Sequence, residues 1–337
     1  MEAPPDRGRR IGRVVSSGFR PAWWLAGPHR QTLWPYLFRS RPRPAFRRER
    51  LELPDGDFLD LDWLEPGVPG QESRGVVLLL HGLEGSSRSH YVRGLSQTLS
   101  AAGYMVAVLH FRGCSGELNR LPRAYHSGET GDLARVAETL SRRFPGLPRA
   151  AVGFSLGGNA LLKWLGENPR QTLLRTAVAV SVPFDLSRGA DRLDSGLSRI
   201  YQQRLLASLR RSQRRKQARV DLPLEPAAVQ QARNFREFDH RATAPLHGFR
   251  DAEEYYRLSS SSPWLRRIET DTLVLHARDD PFLPPGAIPG CRELGAGVVL
   301  EISAHGGHVG FVAGSRPFRP RFWLEERILS YLGERTV

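Results

Sequence analysis

The chain is poor in several things that would otherwise direct its interpretation. It has two cysteines, Cys114 and Cys291, in no metal-binding spacing and sufficient for one bridge at most. A disulfide scaffold is thereby excluded, and a reducing, cytoplasmic location is expected. No apolar run approaches the ~18–20 residues of a membrane-spanning helix. The N-terminal stretch Met1–Arg13 is polar and Arg-rich without an apolar core, so a secretory signal is not expected. Of the 10 histidines, the eight other than His305 and His308 show no metal spacing such as H-E-x-x-H, and neither a metal nor a cofactor is expected. Lysine is almost absent: Lys163 and Lys216 stand alone, so the net charge of +14 is nearly all arginine. Such a skew is what a GC-rich genome produces; its functional alternative is attraction to anionic lipid, phosphate or nucleic acid. No DNA- or RNA-binding motif accompanies it, and no nucleic-acid partner is expected.

What is present suits a soluble globular protein. With 337 residues, 40% hydrophobic and 25% charged, the chain is long enough to bury a full core. Residues 14–45 are rich in aromatics and proline with little periodicity, and read as a segment strapped across the main domain. Arg50–Leu53 and Phe58–Trp63 alternate apolar and polar residues around Pro54-Asp55-Gly56-Asp57, which predicts an antiparallel hairpin. The continuous run Val76–Leu80 then predicts a strand buried on both faces. Further strands are expected at Tyr104–Leu109, Arg149–Gly153, Thr176–Val182, Thr272–Ala277 and Val298–Ile302. Helices are expected near His90–Ala102, Thr130–Arg143 and Gly157–Glu167. This alternation predicts an α/β fold with a mostly parallel, doubly wound sheet, whose ligands bind at the carboxyl ends of the strands. It stops between about Ser187 and Glu269, where a basic helix, Leu205–Val220, carries Arg210-Arg211-Ser212-Gln213-Arg214-Arg215-Lys216. The organisation expected is a strap over 1–45, a core over 46–186 and 271–337, and a helical lid over 187–270. The arginine run reads first as a solvated face, with weak contact to an anionic membrane surface as its functional alternative.

The chemistry centres on Gly153-Phe154-Ser155-Leu156-Gly157. A serine flanked by glycines two residues away, between a strand and a helix, has the spacing of a nucleophile elbow. The serine sits on a tight turn where a Cβ at either flank would crowd the backbone. A serine nucleophile needs a base and an orienting acid. Asp279 and Asp280 follow the Thr272–Ala277 strand, and His305 and His308 follow the Val298–Ile302 strand. Asp280, directly before Pro281, is favoured over Asp279, which suits local turn bonding. His308, at the entry to Val309-Gly310-Phe311, is favoured over His305. Cys114 lacks an elbow setting and reads as a turn residue. An oxyanion hole would use the backbone N–H of Leu156 and, from the loop His81-Gly82-Leu83, that of Leu83.

Several motifs together resemble the YheT-like branch of the α/β-hydrolase superfamily. They are Pro28-His29-Arg30-Gln31-Thr32, His81-Gly82-Leu83-Glu84-Gly85-Ser86, Phe111–Gly116, Tyr125–Thr130, Gly153–Asn159 and His305–Phe311. The similarity runs from about Phe19 to Leu332. It implies an α/β-hydrolase fold and an esterase-type hydrolase with a Ser155–Asp280–His308 triad. Its implied substrate is a small-molecule ester, short- to medium-chain or lipid-like, with no specific protein partner. Acyl transfer to an alcohol by the same triad is the first alternative, and a non-catalytic basic surface-binding protein is an alternative of another class.

Overall fold

The structure is a computed structural model and describes residues 11–39, 43–68, 70, 72–317 and 319–336. All of Met1–Arg13 except its last three residues lies outside the described part. The strands of the main sheet are β1 (Arg13–Ser16), β2 (Arg47–Glu52), β3 (Phe58–Leu64), β4 (Val76–Leu80), β5 (Met105–His110), β6 (Arg149–Phe154), β7 (Thr176–Val180), β8 (Asp271–Ala277) and β9 (Val298–Ser303). Their order across the sheet is β1-β9-β8-β7-β6-β4-β5-β3-β2. Pairing is parallel from β1 to β5 along that order and antiparallel at β5–β3 and β3–β2. The hairpin falls where alternation placed it, with Glu52 opposite Phe58 and Gly56 at φ 84° in the turn.

Why the central strands are apolar throughout is visible in how their side chains divide. Val76, Leu78 and Leu80 of β4 enter one core, and Val77 and Leu79 enter the other. With a side-chain period of two, both faces must be covered, and helices cover them. The helices that flank the sheet or precede β2 are α1 (Pro28–Phe38), α2 (His90–Ala101), α3 (Gly131–Arg143) and α4 (Leu156–Glu167). Leu133, Val136 and Leu140 of α3 join one core, and Val92, Leu95 and Leu99 of α2 the other. These spacings of three, four and seven form the apolar stripe of an amphipathic helix.

Between β7 and β8 lie α5 (Leu186–Leu193), α6 (Ser198–Gln217), α7 (Pro226–Gln231), α8 (Phe235–Phe238), α9 (Ala244–His247) and α10 (Ala252–Ser259). They share a small core of their own that includes Leu193, Leu206, Val229, Phe238 and Tyr256. Two of their polar contacts reach loops at the carboxyl ends of the strands: Ser198 Oγ donates to Pro281 O at 2.7 Å and Ser212 Oγ to Glu84 at 2.8 Å. Helix α11 (Trp323–Gly333) closes the second core through Leu324, Ile328 and Leu332. Among the described residues no helix is long and apolar enough to cross a membrane.

Two expectations change. The strap contains a sheet strand: β1 pairs in parallel with β9, and all four of its residues are exposed. An edge strand of four exposed residues leaves no alternation to detect. The basic helix begins at Ser198, well before the arginine run, and only part of the run is solvated. Arg211, Arg214 and Arg215 are exposed, whereas Lys216 is buried, donating to the carbonyl of Asn119 and, at 2.9 Å, to its Oδ1. Burial lowers the Lys216 pKa to about 8.

One buried ion cluster joins the hairpin turn to the loop beyond β5. Arg112 donates from Nε and Nη2 to both oxygens of Asp132 (2.8 and 2.7 Å), and from Nη1 to Asp55 and Asp57 at 2.9 Å each. Arg112, Asp57 and Asp132 are all buried. Removing the cation leaves buried carboxylates uncompensated, so Arg112→Met is expected to destabilise the fold by roughly 3–5 kcal/mol. Urea unfolding at pH 7 measures this; an unchanged midpoint would show that the cluster contributes nothing net.

Candidate active site

The carboxyl end of β6 makes the decisive turn. Ser155 stands at φ 52°, ψ −117°, between the last residue of the strand and the first of α4. Such a conformation costs a non-glycine residue of order 1–3 kcal/mol and persists only where the surroundings enforce it. They do so by contact: a Cβ on Gly153 would lie 2.5 Å from Gly157 O, and one on Gly157 would lie 2.6 Å from both His81 O and Leu80 O. The two glycines let β6, β4 and α4 approach closely enough to force the serine outward. Ser155 N donates to Val180 O at 2.8 Å, fixing the turn to β7. At the start of α4 the N–H groups lack intrahelical partners and carry the positive end of the helix dipole.

Two further strand ends converge on this serine. His308 Nε2 is 3.0 Å from Ser155 Oγ, and His308 Nδ1 is 2.9 and 3.1 Å from Asp280 Oδ2 and Oδ1. A carboxylate only accepts, so Nδ1 carries the proton in the neutral ring and Nε2 is left to accept from the serine hydroxyl. Asp280 is almost wholly buried, and its Oδ1 also accepts from Phe282 N at 2.8 Å. The Phe282 ring lies flat against the imidazole, 3.9 Å between centroids and 3° from parallel. The rivals pair with one another instead: Asp279 accepts from Gly307 N at 2.9 Å and stands 3.4 Å from the exposed His305.

The loop after β4 supplies the facing side. His81 is fully buried, and burial lowers its pKa to about 3. Its Nε2 accepts from Phe111 N (3.3 Å), which leaves the proton on Nδ1 to be donated to Gly82 O (2.8 Å). Gly82 N donates to Tyr91 Oη and Glu84 N to Tyr125 Oη. The N–H groups on both sides of Leu83 are therefore engaged, while that of Leu83 itself makes no hydrogen bond among the described residues. Leu83, Leu156 and Ser155 border a mostly apolar cavity of about 180 Å³ that runs beneath α6 and α8 past Leu205, Leu209 and Phe238.

Residues 75–315 match the family described as alpha/beta hydrolase fold. The chain belongs to that family. Within it, the chain is 43% identical over 94% of its length to the Escherichia coli (strain K12) protein named "Putative esterase YheT", 93% of which is covered. It is 31% identical over 90% of its length to mouse (Mus musculus) phospholipase ABHD3, 75% of which is covered. The esterase Pf2001 of Pyrococcus furiosus shares the fold at a TM-score of 0.57 and 16% identity, covering 99% of this chain and 100% of that one.

In this α/β-hydrolase chain several site residues carried no legible local signal. Thr32 of α1 accepts from His308 N at 2.9 Å, and Ser181, after β7, accepts from Val309 N at 3.0 Å. Pro28–Thr32 contributes to the family resemblance, but nothing in its pattern tells which loop it meets. Cys114 borders the cavity, and burial together with the charge of Glu84 raises its thiol pKa, which keeps it protonated. Among the described residues no three His, Cys, Asp or Glu side chains are grouped to hold a metal.

Behind the acid lies His276 of β8, fully buried against Phe184, with neither ring nitrogen partnered among the described residues. Desolvation lowers its pKa to about 4; the charge of Asp280 opposes this to a smaller extent, and His308 adds slightly to it. In the unfolded chain the ring protonates below about pH 6.5, whereas in the fold it stays neutral down to about 4, so stability is lost as pH falls through that window. The loss at pH 5 is about 2 kcal/mol. His276→Leu is therefore expected to raise Tm more at pH 5 than at pH 8. Equal shifts at the two pH values would contradict the assignment.

Proposed function

We propose that this protein is a serine esterase that hydrolyses carboxylic esters with short- to medium-chain or lipid-like acyl groups through an acyl-enzyme on Ser155. The observation that carries the proposal is the chain of contacts from Ser155 Oγ through His308 to Asp280, at 3.0 and 2.9 Å. His308 removes the hydroxyl proton through Nε2 as Ser155 Oγ attacks the ester carbonyl. Asp280 holds the ring in the required tautomer and stabilises the imidazolium that forms. Negative charge grows on the carbonyl oxygen, and the Leu83 and Leu156 N–H groups receive it. His308 then protonates the departing alcohol, and the same base activates the water that releases the acid.

Comparison and cavity both support an ester substrate. Relatives across most of the chain are named esterase and phospholipase. A cavity of about 180 Å³ is small beside the ~300–1,000 Å³ of sites for drug-sized ligands, which favours a short acyl chain. Residues 187–270 act as the lid: they roof the cavity, so their apolar side chains set which acyl groups fit.

The reading is tested with p-nitrophenyl butyrate and a fluorophosphonate probe. Ser155→Ala is expected to abolish labelling and lower kcat by at least about a thousandfold, with Asp280→Asn causing a loss of about ten-thousandfold or less through the wrong histidine tautomer. Turnover near wild type in Ser155→Ala would overturn it.

A further inference from the structure

A carboxylate beside an oxyanion donor needs a physical explanation, because it opposes the charge that the donor is there to receive. Glu84 follows Leu83 directly, borders the cavity, and takes φ 54° although it is not glycine. Among the described residues it forms no ion pair; its oxygens meet three hydroxyls instead. Oε1 accepts from Tyr125 Oη at 3.0 Å, and Oε2 accepts from Ser208 Oγ at 2.7 Å and Ser212 Oγ at 2.8 Å. Ser208 and Ser212 are four residues apart on α6 and so share one face of that helix.

The Tyr125 hydroxyl links side chain to backbone. It has one proton, committed to the Glu84 carboxylate, and thereby presents its lone pair to Glu84 N–H at 2.8 Å. Burial holds the phenol protonated. The peptide after Leu83 is thus oriented by Tyr125, and the peptide before it by His81 Nδ1–H on Gly82 O at 2.8 Å. Leu83 N–H points where these two anchors aim it. One of them depends on a carboxylate whose other oxygen is satisfied only while α6 is seated.

We infer that Glu84 is a positioning residue through which seating of helix α6 sets the oxyanion loop. The inference rests on the proposed esterase reading and deepens it: the lid that roofs the cavity also completes the geometry at Leu83. When α6 lifts, Oε2 loses both serine donors, the carboxylate turns toward water, and the Tyr125 anchor on Glu84 N–H is released. The hole is then formed with the lid closed over substrate and loosened with it open.

The test compares Glu84→Ala, Glu84→Gln, Ser208→Ala/Ser212→Ala and the triple variant on p-nitrophenyl acetate, with Ser155→Ala as a separate control. Complete removal of an oxyanion donor costs about a hundred- to a thousandfold in kcat, so misaiming one is expected to cost about tenfold or more in Glu84→Ala, with KM within about twofold. The double serine variant, which alters no residue of the oxyanion loop, is expected to lower kcat by about threefold or more at unchanged KM. The triple variant should be no slower than Glu84→Ala, because all three side chains act through one linkage. Glu84→Gln keeps an acceptor for Tyr125 and a polar end for the serines, and should recover most of the loss. Wild-type kcat in the double serine variant, additive losses in the triple, or a change confined to KM would each overturn the inference. Should Glu84→Ala fail to fold, Glu84→Gln and the double serine variant decide alone. Full activity in Ser155→Ala would instead remove the esterase reading, so the two failures are distinguishable.

Discussion

The site depends on one backbone constraint, the left-handed conformation of Ser155 at the end of β6. Nothing local favours it. It is imposed by contacts at Gly153 and Gly157 that leave no room for a Cβ, and by β4 and β7 on either side of β6. The other non-glycine residues with positive φ among those described are Glu84, Ser181, Val309 and Phe311. All follow the carboxyl ends of β4, β7 and β9, at the same end of the sheet as Ser155. Strained conformations gathered at one end of a sheet require a rigid support beneath them. The central strands, apolar on both faces and covered by helices, are that support.

The histidine loop is held differently. Its strand supplies direction, but its position comes from α1, far away in sequence. Thr32 Oγ1 accepts from His308 N, and Gln31 both accepts from Val312 N (2.7 Å) and donates to Val312 O (3.1 Å). A Cβ on Gly307 would strike Pro28 O at 2.5 Å, and one on Gly310 would strike Gln31 O at 2.4 Å. Among the described residues, 28–32 make no hydrogen bond to Ser155 Oγ or to the His308 ring, yet they set where the imidazole stands. Phe282, stacked on the ring, limits its remaining freedom.

How much of this was legible in sequence follows from the distance over which each feature is encoded. The strands of the core are local patterns: a continuous apolar run in the parallel centre, and apolar–polar alternation in the hairpin of β2 and β3. Ser155, Asp280 and His308 each lie within a few residues of a strand end, so chain order and turn chemistry were enough to single them out. The contacts that distinguish Asp280 from Asp279 are spatial, since one carboxylate meets His308 and the other meets Gly307 and His305. Thr32 and Glu84 were illegible for the same reason: the His308 loop that Thr32 holds and the α6 serines that hold Glu84 lie more than a hundred residues away in the chain. β1 escaped because four exposed edge residues carry no burial period.

Helix α6 shows how two sequence signals can mask one another. Its arginines dominate the composition and draw attention to the solvated side. The opposite side carries Tyr201, Ser208, Ser212 and Lys216 at intervals of seven, four and four, which an α-helix stacks along one stripe. Each meets a different part of the site: Tyr201 Oη lies 2.9 Å from His29 Nδ1 of α1, the serines hold Glu84, and Lys216 holds the loop at Asn119. The same helix contributes Leu205 and Leu209 to the cavity wall. On the proposed esterase reading, a substrate that presses on those leucines presses on the element tied to Leu83 and, through α1, to the loop of His308. On that same reading, selectivity for the acyl chain and alignment of the catalytic groups are not separable, because one helix serves both.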